Sequence, residues 1–220
     1  MRQSRGQARA VTELTIEQVM NLGPVIPVLT IERLEHAVPL AQALVRGGLR
    51  ALEITLRTDA ALAAISAIAT MVPDAVPGVG TVTTLEDLTK ARTAGARFAV
   101  SPGFAADLAE AAGEMPFLPG VATASEAMAA QRAGLRHLKF FPAEVMGGRA
   151  TLQAFAGPFA SLVFCPTGGI GRDNAVDYLG LKNVRCVGGS WVAPRAAVMG
   201  EQWDLISALA AEAAALDRTT

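Results

Sequence analysis

The sequence predicts an α/β protein built as a single (β/α)8 (TIM) barrel, and three observations carry that prediction. A glycine, a basic residue and an apolar strand recur as one phrase: "RGGLRALEI" from 46, "TAGARFAVS" from 93, "RAGLRHLKF" from 132 and, more loosely, "LGLKNVRCVGG" from 179. Each reads as a helix closed by a left-handed glycine and followed by a buried strand. Further strand candidates precede or separate these phrases, at 24–29, 77–82, 116–120 and 161–169, which brings the total to eight. Finally, 220 residues with no linker or low-complexity stretch suit one such unit. An open doubly wound sheet is the other arrangement these alternating elements allow.

In chain order, residues 1–14 are arginine-rich and lack the apolar core of a signal peptide. They read as a flexible tail before a domain at 15–220, with the cytoplasm as the expected location. "PVIPVL" at 24–29 is the first strand. The segment "IERLEHAVPLAQALV" then places Leu34, Ala37, Val38, Ala41, Leu44 and Val45 on one helical face, and Pro39 predicts a helix that is kinked or begins late. The strand of "ALEITLR" follows, then those of "PGVGTV", "RFAVS", "PFLPG", "HLKFF", "LVFCPTGG" and "VRCVGG", with helical segments between them.

Composition excludes several classes of function. A net charge of −1, with basic residues scattered, gives no footprint for nucleic acid or an anionic membrane. No uninterrupted apolar run reaches the roughly 18 residues of a membrane span. Cys165 and Cys186 lie in apolar strands without C-x-x-C spacing, so buried free thiols are expected rather than a disulfide or zinc site. His36 and His137 read as structural, and no carboxylate–histidine cluster suggests a metal, so no cofactor is expected.

The chemistry concentrates in two places. In "ALEITLR", Leu52, Ile54 and Leu56 alternate with Glu53, Thr55 and Arg57; in a barrel whose helices cover the apolar face, the polar face must line the lumen. The same period in "HLKFF" points Lys139 inward with His137 and Phe141. Only three lysines exist, Lys90, Lys139 and Lys182. Lys90 reads as a solvated helix position and Lys182 as a loop residue, which leaves Lys139 as the candidate amine. Desolvation can make such an amine nucleophilic toward a carbonyl, and arginine cannot take that role. Pattern alone is equally consistent with a lysine that pairs with a carboxylate or snorkels at a strand end. The second place is the pair of glycine doublets, Gly168–Gly169 and Gly188–Gly189, the latter followed by Ser190. They follow the seventh and eighth strands, where barrels hold phosphate on backbone N–H groups and a helix N-terminus.

"LEITLRT", "PGVGTV", "SPGF", "LKFFPAE", "FCPTGGI" and "GGSW", in this order and spacing, resemble the 2-keto-3-deoxy-6-phosphogluconate (KDPG) aldolase family, which includes 4-hydroxy-2-oxoglutarate (KHG) aldolase activity. The resemblance runs from about residue 23 to 194 and implies a (β/α)8 barrel, a homotrimer and metal-free lyase chemistry through a lysine imine. It implies Lys139 as the imine-forming residue and Glu53 as the acid/base. Arg57 and Thr81 would hold the pyruvate carboxylate, Pro102 and Phe141 would pack around the pyruvyl unit, and Thr167 would face the substrate chain. Gly168, Gly169, Gly188, Gly189 and Ser190 would take the phosphate. The sequence departs from the family pattern at Val79, where alanine is usual, and at Val145 and Met146, where a smaller or polar pair is common. A sugar-phosphate isomerase, and a non-catalytic sugar-phosphate sensor in which Glu53 and Lys139 form only an ion pair, are the competing readings.

Overall fold

The recurring phrase does what its glycines suggest, three times in four. In a computed structural model, which describes residues 14–218, Gly48, Gly95 and Gly134 adopt φ of +96°, +89° and +83°. The residue after each donates its N–H five residues back, Leu49 to Leu44, Ala96 to Ala91 and Leu135 to Ala130, at 3.0–3.1 Å. This is the Schellman closure that turns the chain from a helix into the next strand. The fourth, looser phrase differs: Gly180 stays right-handed at φ −72°.

Nine short strands result among the described residues: β1 Val25–Leu29, β2 Ala51–Thr55, β3 Val76–Gly80, β4 Ala99–Val100, β5 Phe117–Leu118, β6 Gly120–Val121, β7 His137–Phe140, β8 Val163–Pro166 and β9 Val187–Gly189. All pair in parallel, in a six-stranded order β5-β4-β3-β2-β1-β9 and a three-stranded order β6-β7-β8. The expected fifth strand is thus two, because Pro119 between them has no N–H to donate to a ladder. Its carbonyl still accepts from the Lys139 amide at 2.8 Å. Single-residue parallel bridges join Phe164 to Val184 and Thr167 to Gly188. The architecture is an α/β fold with a curled parallel sheet.

Ten α-helices alternate with the strands among the described residues: α1 Ile16–Asn21, α2 Ala37–Arg46, α3 Ala61–Met71, α4 Leu85–Thr93, α5 Ala106–Ala112, α6 Ala124–Arg132, α7 Gly148–Phe155, α8 Ala175–Leu179, α9 Arg195–Met199 and α10 Trp203–Ala214. Pro39 sits in the first turn of α2, where its missing N–H is not needed. The helix therefore begins late, after a short 3-10 turn at Leu34–His36. The tail expected at 1–14 lies outside the described residues except for Leu14. Directly after it, Thr15 and Gln18 cap α1 reciprocally, an S/T-x-x-E/Q signal that was available in the sequence.

Two apolar layers follow from strand alternation. Leu52, Ile54, Val79, Leu138 and Phe140 belong to the large outer cluster between sheet and helices. Ile26, Ala51, Val76, Phe98, Leu118, Cys165 and Cys186 form a separate inner cluster with Val19 and Met20 of α1. The inner cluster is the floor of the concave face, and α1 closes its underside. His36 is buried against Trp203, ring centroids 5.7 Å apart, in the outer layer. Burial holds the half-buried His137 below the usual imidazole range. Both cysteines are buried and free, and the hydrogen bond that the Cys186 S–H gives to Cys165, together with burial, raises the Cys186 thiol well above its ordinary value.

Gly47 at the end of α2 abuts α10 so closely that a methyl group there would meet Ala210 Cβ and lie 2.6 Å from the Ser207 carbonyl. Gly47→Ala should therefore lower stability by about 1–3 kcal/mol through overpacking. Chemical denaturation should reveal this loss while turnover per folded molecule stays normal.

Candidate active site

Glu53 lies mid-strand in β2 and Lys139 is the third residue of β7. Both point to the concave face, as their strand alternation requires. Lys139 Nζ donates to Glu53 Oε1 at 2.9 Å, with side chains only 6% and 4% exposed. Two charges removed from water this completely are tolerable because each satisfies the other, and removing one partner would strand the other at a cost of about 3–5 kcal/mol. The ring of Phe141 lies 5.2 Å from Nζ, adding a cation–π contact to one side of the ammonium.

Glycines make the room for this pair. Gly80 of β3 faces Glu53, and a Cβ there would collide with the carboxylate Oε1 and lie 2.6 Å from Cγ. Gly78, two residues earlier on the same face, leaves space for the Phe98 ring of the floor. Gly120 in β6, paired with Lys139, allows the Pro102 carbonyl to approach. "PGVGTV" is thus read out as small inward and large outward, and the unusual Val79 lies fully buried in the outer layer, away from the polar centre. These space-making glycines were missed as site residues, although their period-2 spacing was visible.

Around the pair, the sequence-predicted residues fall into two groups. Thr81 directly after β3, Pro102 after β4, Phe141 after β7 and Thr167 after β8 all sit at the same end of the sheet as the amine. Thr81 is held at φ +63°, a left-handed conformation that threonine rarely adopts and that marks a constrained site. Thr167 is buried, and its hydroxyl abuts Gly188, where a Cβ would collide with Oγ1. Arg57 departs from expectation. β2 ends at Thr55, so the alternation stops there; Arg57 is exposed and makes no salt bridge among the described residues.

The glycine doublets also differ from expectation in one respect. The next helices, α8 and α9, begin only at Ala175 and Arg195 and are five residues each, so no helix N-terminus abuts either doublet. The backbone N–H groups at the doublets belong to loops instead. Gly168 and Gly169 have φ of +102° and +76°, and among the described residues the N–H groups of Gly169, Ile170 and Ser190 find no protein acceptor. Ile170 had no sequence signal beyond its place after the doublet. A cavity of about 430 Å³ opens beside the exposed Ser190, between the ends of β1 and β9, and Glu32 and Arg195 are paired at its edge. Val145, in the loop after β7, is 82% exposed, whereas Met146 packs on the outer core.

The fold and the site together define an α/β protein that holds a buried amine hydrogen-bonded to a carboxylate on the concave face of a curled parallel sheet. The sequence model described as "Aldolase: KDPG and KHG aldolase" matches residues 16–209. The 2-dehydro-3-deoxy-phosphogluconate aldolase of Dickeya dadantii is 54% identical over 201 residues, covering 90% of this chain and 94% of the relative. The KHG/KDPG aldolase of Escherichia coli K12 is 51% identical, with 90% and 93% covered. The crystal structure of the KDPG aldolase from Legionella pneumophila, with pyruvate captured at low pH as a covalent carbinolamine intermediate, superposes with a TM-score of 0.90 at 44% identity, covering 92% of this chain and 99% of that one. The chain belongs to the KDPG and KHG aldolase family.

Because Gly80 makes the space that Glu53 occupies, Gly80→Ala should displace the carboxylate from Lys139. Turnover should fall by at least about 10-fold on the acid/base role that the family resemblance implies for Glu53. Circular dichroism should show the fold retained, and normal turnover would show that the 2.9 Å contact is dispensable.

Proposed function

We propose that this chain is a class I (Schiff-base) aldolase that reversibly cleaves 2-dehydro-3-deoxy-6-phosphogluconate to pyruvate and D-glyceraldehyde 3-phosphate, with 4-hydroxy-2-oxoglutarate, cleaved to pyruvate and glyoxylate, as a second substrate. The observation that carries this reading is the buried Lys139–Glu53 contact of 2.9 Å. It joins a nucleophile to a proton carrier where water is scarce.

On this reading the pair shares one mobile proton, and its transfer to Glu53 frees the Lys139 amine to attack the C2 carbonyl. Glu53 then protonates the carbinolamine hydroxyl, which leaves as water and gives an iminium. The resulting carboxylate removes the proton of the C4 hydroxyl. The C3–C4 bond breaks, its electron pair moves into the iminium to form an enamine, and the aldehyde departs. Protonation at C3 and hydrolysis release pyruvate and restore the amine. The iminium is the electron sink, so no metal or cofactor is called for.

Arg57 and Thr81 are assigned the substrate carboxylate, Pro102 and Phe141 the pyruvyl unit, and Thr167 the hydroxylated chain. Gly168, Gly169, Gly188, Gly189 and Ser190 are assigned the phosphate, and the unpartnered amides of Gly169, Ile170 and Ser190 support that choice. The same reading closes the curled sheet into a full (β/α)8 barrel in one domain from residue 15 to 220. Support comes from counting β5 and β6 as one strand and from the bridges that tie β8 to the β9 segment. It also takes the chain to be a cytoplasmic homotrimer, as the family resemblance implies; no helix among the described residues is long and apolar enough to cross a membrane.

Incubation with pyruvate and borohydride should add mass to the peptide containing Lys139, and labelling of Lys90 or Lys182 instead would overturn the mechanism. An isomerase or a sensor would not be labelled. Activity should survive chelators. Glu53→Gln keeps the hydrogen bond to Nζ but cannot cycle a proton, so kcat should drop by about 10²- to 10⁴-fold, with phosphate binding unchanged.

A further inference from the structure

Loop amides bind an anion only if their peptide planes are held with the N–H groups facing it. In a planar trans peptide the C=O of one residue and the N–H of the next point in opposite directions, so whatever fixes the carbonyl aims the amide. Around the first glycine doublet the carbonyls are fixed. The Gly168 carbonyl accepts from the Glu144 backbone N–H at 3.1 Å, and the Gly169 carbonyl accepts from Asn174 Nδ2 at 3.1 Å. The N–H groups opposite these carbonyls are those of Gly169 and Ile170, the two left unpartnered. Asn174 Oδ1 accepts from the Gly171 N–H at 2.9 Å, so only one orientation of the side-chain amide satisfies both contacts.

We infer that Asn174 is a positioning residue for the phosphate. Its side chain bridges the Gly169 carbonyl and the Gly171 amide and so aims the Ile170 N–H into the site. A second support comes from the lysine strand's own loop. Glu144 is packed against the doublet so closely that a Cβ on Gly169 would lie 2.6 Å from its Cγ, and its Oε1 accepts a hydrogen bond from the buried hydroxyl of Tyr178. Asn174 and Tyr178, at the start and within α8, thus hold the left-handed loop from behind while its amides face forward. Neither residue lies among those assigned to substrate, and the inference rests on reading this loop as the phosphate site.

The test compares Asn174→Ala and Asn174→Asp with the unaltered protein on phosphorylated KDPG and on unphosphorylated 4-hydroxy-2-oxoglutarate. Asp keeps the size and the acceptor for Gly171, yet sets a carboxylate against the Gly169 carbonyl. For Ala, KM for KDPG and the inhibition constant for inorganic phosphate should both rise about 3- to 10-fold, as loss of one hydrogen bond implies. For Asp both should rise further. Cleavage of the unphosphorylated acid and borohydride labelling by pyruvate should be unchanged in both. Tyr178→Phe, which removes only the hydroxyl, should shift KM for KDPG in the same direction. Equal losses on both substrates, or an Asp variant that binds phosphate normally, would overturn the inference while leaving the aldolase reading intact. Unaltered protein that is indifferent to inorganic phosphate would overturn the phosphate site itself and the inference with it.

Discussion

The hydrogen bond between Lys139 and Glu53 is the constraint on which the site depends. The two residues are 86 positions apart and are brought to 2.9 Å by strands on opposite sides of a curled sheet. Each is nearly removed from water, so each needs the other: an unpaired ammonium or carboxylate in that place would be destabilising by several kcal/mol or would give up its charge. The surrounding sequence is shaped accordingly. Gly78 and Gly80 keep β3 small where it faces inward, and Gly120 does the same beside Lys139. A methyl group at any of these positions would intrude on the pair or on the groups that frame it.

Below the pair, the inner apolar cluster supplies a floor that keeps solvent out from one side, with α1 as its base. Above it, the chain leaves the strands, and the residues proposed to meet substrate follow the strand ends: Thr81, Pro102, Phe141 and Thr167. Stability and chemistry are therefore separated along each strand. Outward side chains pack against helices and belong to the large cluster. Inward side chains are floor at one end and reactive groups at the other. This division explains why Val79, unusual for the family, lies without contact to the polar centre. It points outward.

Lys139 and the loop of the first glycine doublet are mechanically one piece. The chain after Lys139 runs through Phe141 and Pro142 to Ala143 and Glu144, whose amides donate to the carbonyls of Thr167 and Gly168 at 2.8 and 3.1 Å. Glu144 then reaches Tyr178 with its carboxylate. On the function proposed above, a substrate held by its phosphate on this loop is held at a fixed distance from the lysine. Such fixed geometry is what turns an encounter between an amine and a carbonyl into a fast intramolecular step.

The sequence by itself determined the alternation of strands and helices, the candidate amine and its carboxylate, and the two glycine doublets. These are local properties: a left-handed glycine closes a helix whatever surrounds it, and a period of two assigns faces without knowledge of neighbours. Only the tertiary structure decided the rest. Where β2 ends depends on its pairing with β3, so the strict alternation that the sequence suggests stops at Thr55, before the exposed Arg57. The split of the fifth strand depends on which neighbour the missing N–H of Pro119 would have met. The value of Gly80 is invisible until the Glu53 side chain is placed diagonally over it from the adjacent strand. The direction of the Ile170 amide depends on Asn174 and on a carbonyl five residues before it. Each of these is a relation between strands or loops, fixed by packing and hydrogen bonding at short range in space, and no single stretch of chain encodes it.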